Sequence, residues 1–430
     1  MSMSMIEGED IMKVMVTDPR KINIRWLYLA VGVIALLFAG IIYGWSILKA
    51  PLTAEFGWTN DQLAVNFTLT MCFFCLGGFI GGLLYRKMGA RLLLIMGGVI
   101  SCAGFSLTSL LNESSLIMLY ISYGVLAGLG IGFAYNTVIS TVNAWFPDKK
   151  GACSGALMMG FGLSALVIGK AADALFKVPG VGWRTTFLIL GIALGVVLVI
   201  AGLILKLPAP DLMLPRPAQK AGGASENFET RDYTPVQMIR RFTFWRAFLC
   251  IVFLAAVGNT VISFAKDLSF SVAKLSIPED DAKSLATTLV GVLSVCNGLG
   301  RIAIGAIFDK LGRRKTMLLA NIVTIAAAGV TLLSVFTNSL PLCVVGLCVT
   351  GFSYGCCPTI SSACTSAFYG SKNFSVNFSI MNFNLMGASL MATASSMLRT
   401  SFNGSFAAPF VLLLSLSVAA LVLNLSIKRP

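Results

Sequence analysis

The sequence contains no histidine, and its acids are scarce: 18 Asp and Glu against 32 Lys and Arg in 430 residues. Charged residues of both signs make up only 12% of the chain, too few to clothe a soluble globular surface. Without an imidazole, the commonest metal ligand and neutral-pH acid–base group is missing. The 11 cysteines do not fill that gap. Cys72, Cys75, Cys102, Cys250, Cys296, Cys343 and Cys348 lie inside apolar runs, and the adjacent Cys356 and Cys357 lack metal-ligand spacing. No metal, cofactor or disulfide framework is expected, and no nucleophile, base or metal cluster marks an enzyme. The polar stretch through Arg25 precedes no small-residue cleavage site, so the first apolar run is expected to be retained.

What the chain does have is apolar length. It is 57% hydrophobic, and runs of about 20 residues, enough to span a hydrocarbon core, recur from end to end. Twelve helices are expected near 26–48, 63–85, 91–111, 116–146, 151–175, 184–206, 244–265, 284–308, 315–337, 340–366, 374–398 and 405–427. The polar stretch from Lys206 to Arg241 cannot cross a membrane and divides them six and six. The expected fold is an all-α membrane protein of two six-helix bundles, at 26–206 and 244–430. A cytoplasmic tail (1–25) precedes the first, and a cytoplasmic central loop (207–243) joins the two. The net charge of +14 is distributed by loop: with the N-terminus inside, 23 of the 32 basic residues fall on the inner side and 7 outside. This is the positive-inside bias, so anionic headgroups rather than nucleic acid explain the excess. A monomer in the cell (inner) membrane, with both termini cytoplasmic, is expected.

The two halves carry a repeated turn. Gly82-Leu83-Leu84-Tyr85-Arg86-Lys87-Met88-Gly89-Ala90-Arg91 follows the second helix, and Gly305-Ala306-Ile307-Phe308-Asp309-Lys310-Leu311-Gly312-Arg313-Arg314 follows the eighth. Duplication at a fixed place points to a two-bundle transporter. Gly305 lets helices approach, Asp309 can complement a helix N-terminus or a basic side chain, and Gly312 permits a tight turn. The pattern reads as a conformational latch comprising Gly305, Asp309, Gly312 and Arg313, with Gly82, Arg86 and Gly89 as the first copy. The chain resembles the major facilitator superfamily, whose signature is this Gly-x-x-x-Asp-basic-x-Gly-basic-basic turn. The second copy matches fully; the first has Arg86 where the family carries Asp.

An ionisable residue in a membrane helix is a functional hypothesis by default. Arg301 lies eight residues before Asp309, about 12 Å deeper along the helix, and is expected to face a central cavity. Asn297, four residues earlier, shares its helix face and can hold the guanidinium while the fork receives a carboxylate. The competing reading pairs Arg301 with a helix carbonyl or a tyrosine. Every Asp and Glu can be placed in a loop, tail or helix end, which leaves no deep acid for proton coupling. The proton would then travel on the substrate's own carboxylate, or transport would be exchange. Tyr43 and Tyr135 each combine a hydroxyl with an apolar ring, suited to a small anion with a hydrocarbon end, although lone aromatics in lipid helices also serve packing. The glycines at 128, 130 and 132 lie inside a helix, where they pack helices rather than cradle a nucleotide.

The run Gly128 to Tyr135, then Trp145-Phe146-Pro147-Asp148-Lys149-Lys150-Gly151, is similar to the oxalate:formate antiporter family of major facilitators. So are Tyr43-Gly44-Trp45 leading to Pro51, Gly182-Trp183-Arg184, and Asn297-Gly298-Leu299-Gly300-Arg301. In that family and the similar monocarboxylate transporters, an Arg of the eighth helix binds the substrate carboxylate and Tyr residues of the first and fourth helices line the site. The resemblance thus implies substrate roles for Arg301, Asn297, Tyr135 and Tyr43. The oxalate exchanger also has a Lys in its eleventh helix, where this chain reads Ile380-Met381-Asn382-Phe383-Asn384-Leu385-Met386-Gly387. One Arg would leave a dianion poorly neutralised, which favours a monocarboxylate, with Asn382 and Asn384 as polar contacts. Lys170, three residues from Asp173, either snorkels or pairs locally at the outer interface, or supplies a second anion contact. Lys266, beside Asp267, is either a gate or a solvated loop charge. The expected function is secondary active transport of a lactate-, pyruvate- or formate-like monocarboxylate by proton symport or anion exchange. The alternatives are oxalate or dicarboxylate:formate antiport, and multidrug efflux. The implied partners are the carboxylate, the bilayer, and protons or a counter-anion.

Overall fold

The computed structural model describes residues 19–112, 115–209, 212, 214, 232–370 and 372–427. The 1–18 part of the tail, the 215–231 part of the central loop and the side chains at 19–22, 150 and 309, including that of Asp309, lie outside the described residues. Every regular element among the described residues is helical.

Among the described residues, ten stretches are long and apolar enough to cross a membrane. One of them, Asn60–Thr108, has 49 residues, and as a straight helix would reach about 74 Å, more than twice a hydrocarbon core. It turns back at Gly89, whose left-handed φ of 73° only glycine adopts without strain. Packing proves the reversal. Gly77 lies against the backbone of Leu129, and a Cβ at Gly97 would stand 2.8 Å from the carbonyl of Gly130, so both arms meet the same turn of another helix. Glu279–Thr337 repeats the device at Gly312, φ 71°. Its two arms bring Leu293 against Gly351, and Thr324 Oγ1 within 2.6 Å of Ser353 Oγ. The eleventh pass, 374–401, is interrupted: helices Phe374–Met381 and Asn384–Ser401 flank a break at Asn382 and Phe383.

We number the passes helix 1 (19–56), 2 (60–88), 3 (90–108), 4 (Leu116–Asn143), 5 (Gly151–Phe176), 6 (Gly182–Ile204), 7 (Phe242–Ala273), 8 (279–311), 9 (313–337), 10 (Leu340–Tyr369), 11 (374–401) and 12 (Ala407–Ser426). Local chemistry sets several ends. Helix 1 stops at left-handed Gly57, and Thr59 and Gln62 form a reciprocal capping box that starts helix 2. Helix 1 begins by Pro19, inside the stretch expected as tail, and within it Arg25 Nη1 donates to Asp148 at 2.9 Å. Helix 6 exposes Ile189, Ile192, Val196, Ile200 and Leu203, an apolar stripe suited to lipid.

The two halves meet along three seams, helix 1 with 7, helix 2 with 11, and helix 5 with 8. The end carrying the Gly89 and Gly312 turns, with Arg86, Lys87, Arg313 and Arg314, is here called the basic end. There the halves part around a cavity of about 730 Å3. At the opposite end they are joined. Lys49 Nζ of helix 1 meets Asp267 of helix 7 at 2.7 Å, and Lys266 meets Asp173 of helix 5 at 3.4 Å. Along the helix 2–11 seam, Thr68 Oγ1 donates to Ser389 O at 2.8 Å and Ser396 Oγ donates to Asp61 at 2.7 Å. The molecule is therefore open at one end and closed at the other.

Candidate functional site

The charged side chains buried among the described residues are Arg25, Lys49 and Arg301, and no carboxylate joins them. Arg25 and Lys49 each hold an acid, Asp148 and Asp267. Arg301, completely buried in helix 8 at the seam with helix 5, holds none among the described residues. Its Nε donates to Asn297 Oδ1 at 3.1 Å, the i, i+4 contact expected from spacing. Its Nη1 donates to the carbonyl of Met158 at 2.8 Å, and Nη2 is buried without a partner. An unpaired buried donor on a cation is costly.

Arg301 does not face the open cavity, as spacing alone suggested. Thr359 lines the cavity floor and donates to the Arg301 carbonyl at 3.3 Å, so a layer of Thr359, Gly155 and Met158 separates the guanidinium from it. On the other side a void of about 10 Å3, lined by Tyr43, Asn297 and Ser294 among others, is too small for a carboxylate. The site is closed around its cation in this conformation.

Hydroxyls surround it. Tyr43 sits in the tightened Gly40–Gly44 turn of helix 1, with its ring centroid 5.9 Å from the Arg301 guanidinium carbon. Tyr43, Tyr135 and Tyr354 all lie within electrostatic reach of Arg301. Tyr135 packs edge-on against Phe161 and beside Phe74. Tyr354 Oη donates to Asn259 Oδ1 at 2.7 Å, which commits its proton, so the 2.8 Å contact with Tyr43 has Tyr43 as donor. Tyr43 consequently has no proton to spare for an anion here. Its expected donor role requires this chain to break.

Sequence reasoning missed Tyr354 and Asn259. A signal existed: Gly351-Phe352-Ser353-Tyr354 of helix 10 repeats Gly132-Phe133-Ala134-Tyr135 of helix 4, so the two halves place a tyrosine at matching positions. Asn384 spends its amide on the Met381 carbonyl at 2.6 Å, a local bond that competes with the helix ladder and accompanies the break in helix 11. Asn382 lies at that break, where its carbonyl accepts from Cys75 Sγ at 3.1 Å. Cys75 in turn neighbours Tyr43 and Tyr135, so Asn382 reaches the cluster through its backbone. Lys170 does not pair with Asp173, which is taken by Lys177 at 2.9 Å and Lys266 at 3.4 Å; its stem instead lies against Gly291 of helix 8.

The first glycine of each repeated motif, helical here, marks a seam. A Cβ at Gly82 would stand 3.3 Å from the Ser375 carbonyl of helix 11, and one at Gly305 would stand 3.4 Å from the Gly151 carbonyl of helix 5. Arg86 Nη2 donates to the Lys372 carbonyl across the basic end at 3.0 Å, and Arg313 lies over Phe368.

The family model of the Major Facilitator Superfamily matches residues 29–393 and, a second time, 282–428. The chain belongs to that superfamily. This facilitator is a multi-pass membrane transporter and not an enzyme. It is 28% identical over 359 residues to the MFS-type transporter YhjX of Escherichia coli K12, covering 83% of this chain and 84% of the relative. It is 27% identical over 367 residues to the oxalate:formate antiporter of Oxalobacter formigenes, covering 81% and 80%. Against monocarboxylate transporter 2 of Mus musculus the identity is 24% over 329 residues, covering 74% and 66%.

Proposed function

We propose that this facilitator is a secondary active carrier of small organic anions, a monocarboxylate first, in which Arg301 receives the carboxylate. The observation that carries the reading is a wholly buried guanidinium with Nη2 unpartnered, among three tyrosines and with no acid paired to it among the described residues. A carboxylate supplies both the missing charge and the missing acceptor, a bond worth about 1.5–3 kcal/mol net. Asn297 fixes the fork, Tyr43 and Tyr135 contribute hydroxyl and ring, and the break at Asn382 and Phe383 supplies polar backbone. The names of the antiporter and monocarboxylate relatives support the same chemistry.

The basic end faces the cytoplasm in this reading, with both termini on that side of the cell membrane, so the conformation is inward-open. Lys49–Asp267 and Lys266–Asp173 act as the outer gate, while Gly82 and Gly305, within helices 2 and 8, let the halves pack closely at the inner seams. Proton symport and anion exchange differ in one measurement: stimulation of uptake by unlabelled counter-substrate marks exchange. A second reading, oxalate or another dicarboxylate in exchange for formate, is favoured by the antiporter relative and by the unpaired Lys170. Flux of labelled lactate, pyruvate, formate and oxalate in proteoliposomes tests both. Arg301→Lys and Arg301→Ala are expected to abolish it, and parental rates in either variant would overturn the site.

A further inference from the structure

The two charged side chains lining the cavity among the described residues, Arg86 and Lys372, are both cations, and both stand at its mouth. They come from different halves. Arg86 ends helix 2, and Lys372 lies in the turn between helices 10 and 11. Each is exposed, yet neither backbone is loose. The Lys372 N–H donates to Asp232 Oδ1 at 3.0 Å, and its carbonyl accepts Arg86 Nη2 at 3.0 Å. The next residue, Asn373, donates from Nδ2 to the Tyr233 carbonyl at 3.1 Å. Asp232 is the nearest described acid, and it is engaged by the loop's backbone rather than lining the cavity. The rest of the described lining is uncharged and largely apolar, with Ser140, Asn143, Ser154 and Thr359 among its polar members, and Thr359 donates to the Arg301 carbonyl.

We propose that Arg86 and Lys372 form an anion-collecting site at the basic mouth of the cavity, which concentrates oxyacid cargo before it reaches Arg301. The proposal rests on the anionic reading of the cargo. A low-dielectric funnel with charge of one sign at its rim focuses the field and raises local anion concentration and association rate. Arg86 keeps one face of its guanidinium on the Lys372 carbonyl and the rest of its donors toward water, so it can receive a carboxylate without giving up its anchor. The shared chemistry is an anionic oxygen group, which a lipid headgroup also offers.

The test uses the carboxylate, among lactate, pyruvate, formate and oxalate, that the parent protein moves. Flux is measured in inside-out and right-side-out membrane vesicles for R86Q, K372Q, the double variant, and R86K with K372R. In the double variant, KM from the basic face is expected to rise roughly three- to tenfold. Measured as labelled substrate exchanging against saturating unlabelled substrate on the far side, where detailed balance leaves the two faces independent, the saturating rate and KM from the opposite face should not change. The charge-retaining pair should restore the parental KM, and the difference should vanish in about 1 M salt, where the screening length is about 3 Å. Equal KM changes from both faces, or a reduced saturating rate, would overturn the proposal and assign Arg86 to the conformational balance of the halves. A KM effect seen in liposomes with anionic lipid but absent in purely zwitterionic ones would overturn it in favour of a headgroup. If the double variant carries anion with parental KM, this inference fails alone. If the parent moves none of the four, the anionic reading fails and takes this inference with it.

Discussion

Lys49 and Arg301 are both buried cations in membrane helices, and they differ in one respect: Lys49 holds Asp267 at 2.7 Å, and Arg301 holds only an amide and a carbonyl. Desolvating a charge costs several kcal/mol unless a counter-charge and hydrogen bonds offset it. At Lys49 the offset is built into the fold, and its two partners belong to opposite halves, so the pair does the work of a clasp. At Arg301 it is incomplete, and the deficit is what a ligand can relieve. The same comparison separates the two ends of the molecule. The opposite end is satisfied internally and closed, whereas the basic end leaves cations to solvent and is open.

The sharpest way to break the comparison is to make both sites apolar. Arg301→Met is expected to remove an uncompensated charge and to raise the melting temperature of the substrate-free protein by at least ~3 °C, while carboxylate flux is lost. Lys49→Met orphans Asp267 and should lower it. Opposite signs in a thermal-unfolding assay support the distinction; a fall in both would show that Arg301 is as fully compensated as Lys49.

A smaller effect is expected from the gate. Asp267 is partly exposed, so its pair with Lys49 is worth about 1 kcal/mol, equivalent to roughly a fivefold shift in conformational population. Lys49→Asp should raise the reactivity of single cysteines placed in the closed end, and Lys49→Asp with Asp267→Lys should bring it back. Reactivity that ignores both variants would remove this pair from the closure.

The smallest change expected is at Tyr43. Tyr43→Phe deletes a hydroxyl that already spends its proton on Tyr354, so substrate affinity should fall by roughly twofold, well short of the value of one full neutral hydrogen bond near 1 kcal/mol. A loss comparable with that of Arg301→Ala, measured by substrate-induced thermal shift, would mean that the phenol carries the anion rather than assisting the guanidinium.

Much of the fold was legible in the sequence because lipid imposes length on every apolar run and glycine alone fits the reversal at 89 and 312. The break in helix 11 was not legible, since Asn382-Phe383-Asn384 is compatible with a helix until the Asn384 amide takes the Met381 carbonyl. At the candidate site, the Asn297–Arg301 contact followed from helical spacing, and the two tyrosines were named from the resemblance. Tyr354 was passed over although its Gly-Phe-x-Tyr setting repeats that of Tyr135. Lys266 was recognised as a charge near the end of helix 7, but its partner Asp173 lies 93 residues away, beyond any local pattern.

By itself the sequence determined the membrane class of the chain, the reversals at Gly89 and Gly312, and a deep arginine with no deep acid in the apolar runs around it, because these depend on hydropathy and local backbone stereochemistry. Only the tertiary structure decided which groups surround that arginine and whether they are open to water. Tyr43 and Tyr354 are 311 residues apart, and their contact, the sealed void beside Asn297 and the clasp at Lys49 exist only in one packing of the two halves. Contacts between independently folded helices carry no periodic signature, since each partner's own helix is equally stable without the other.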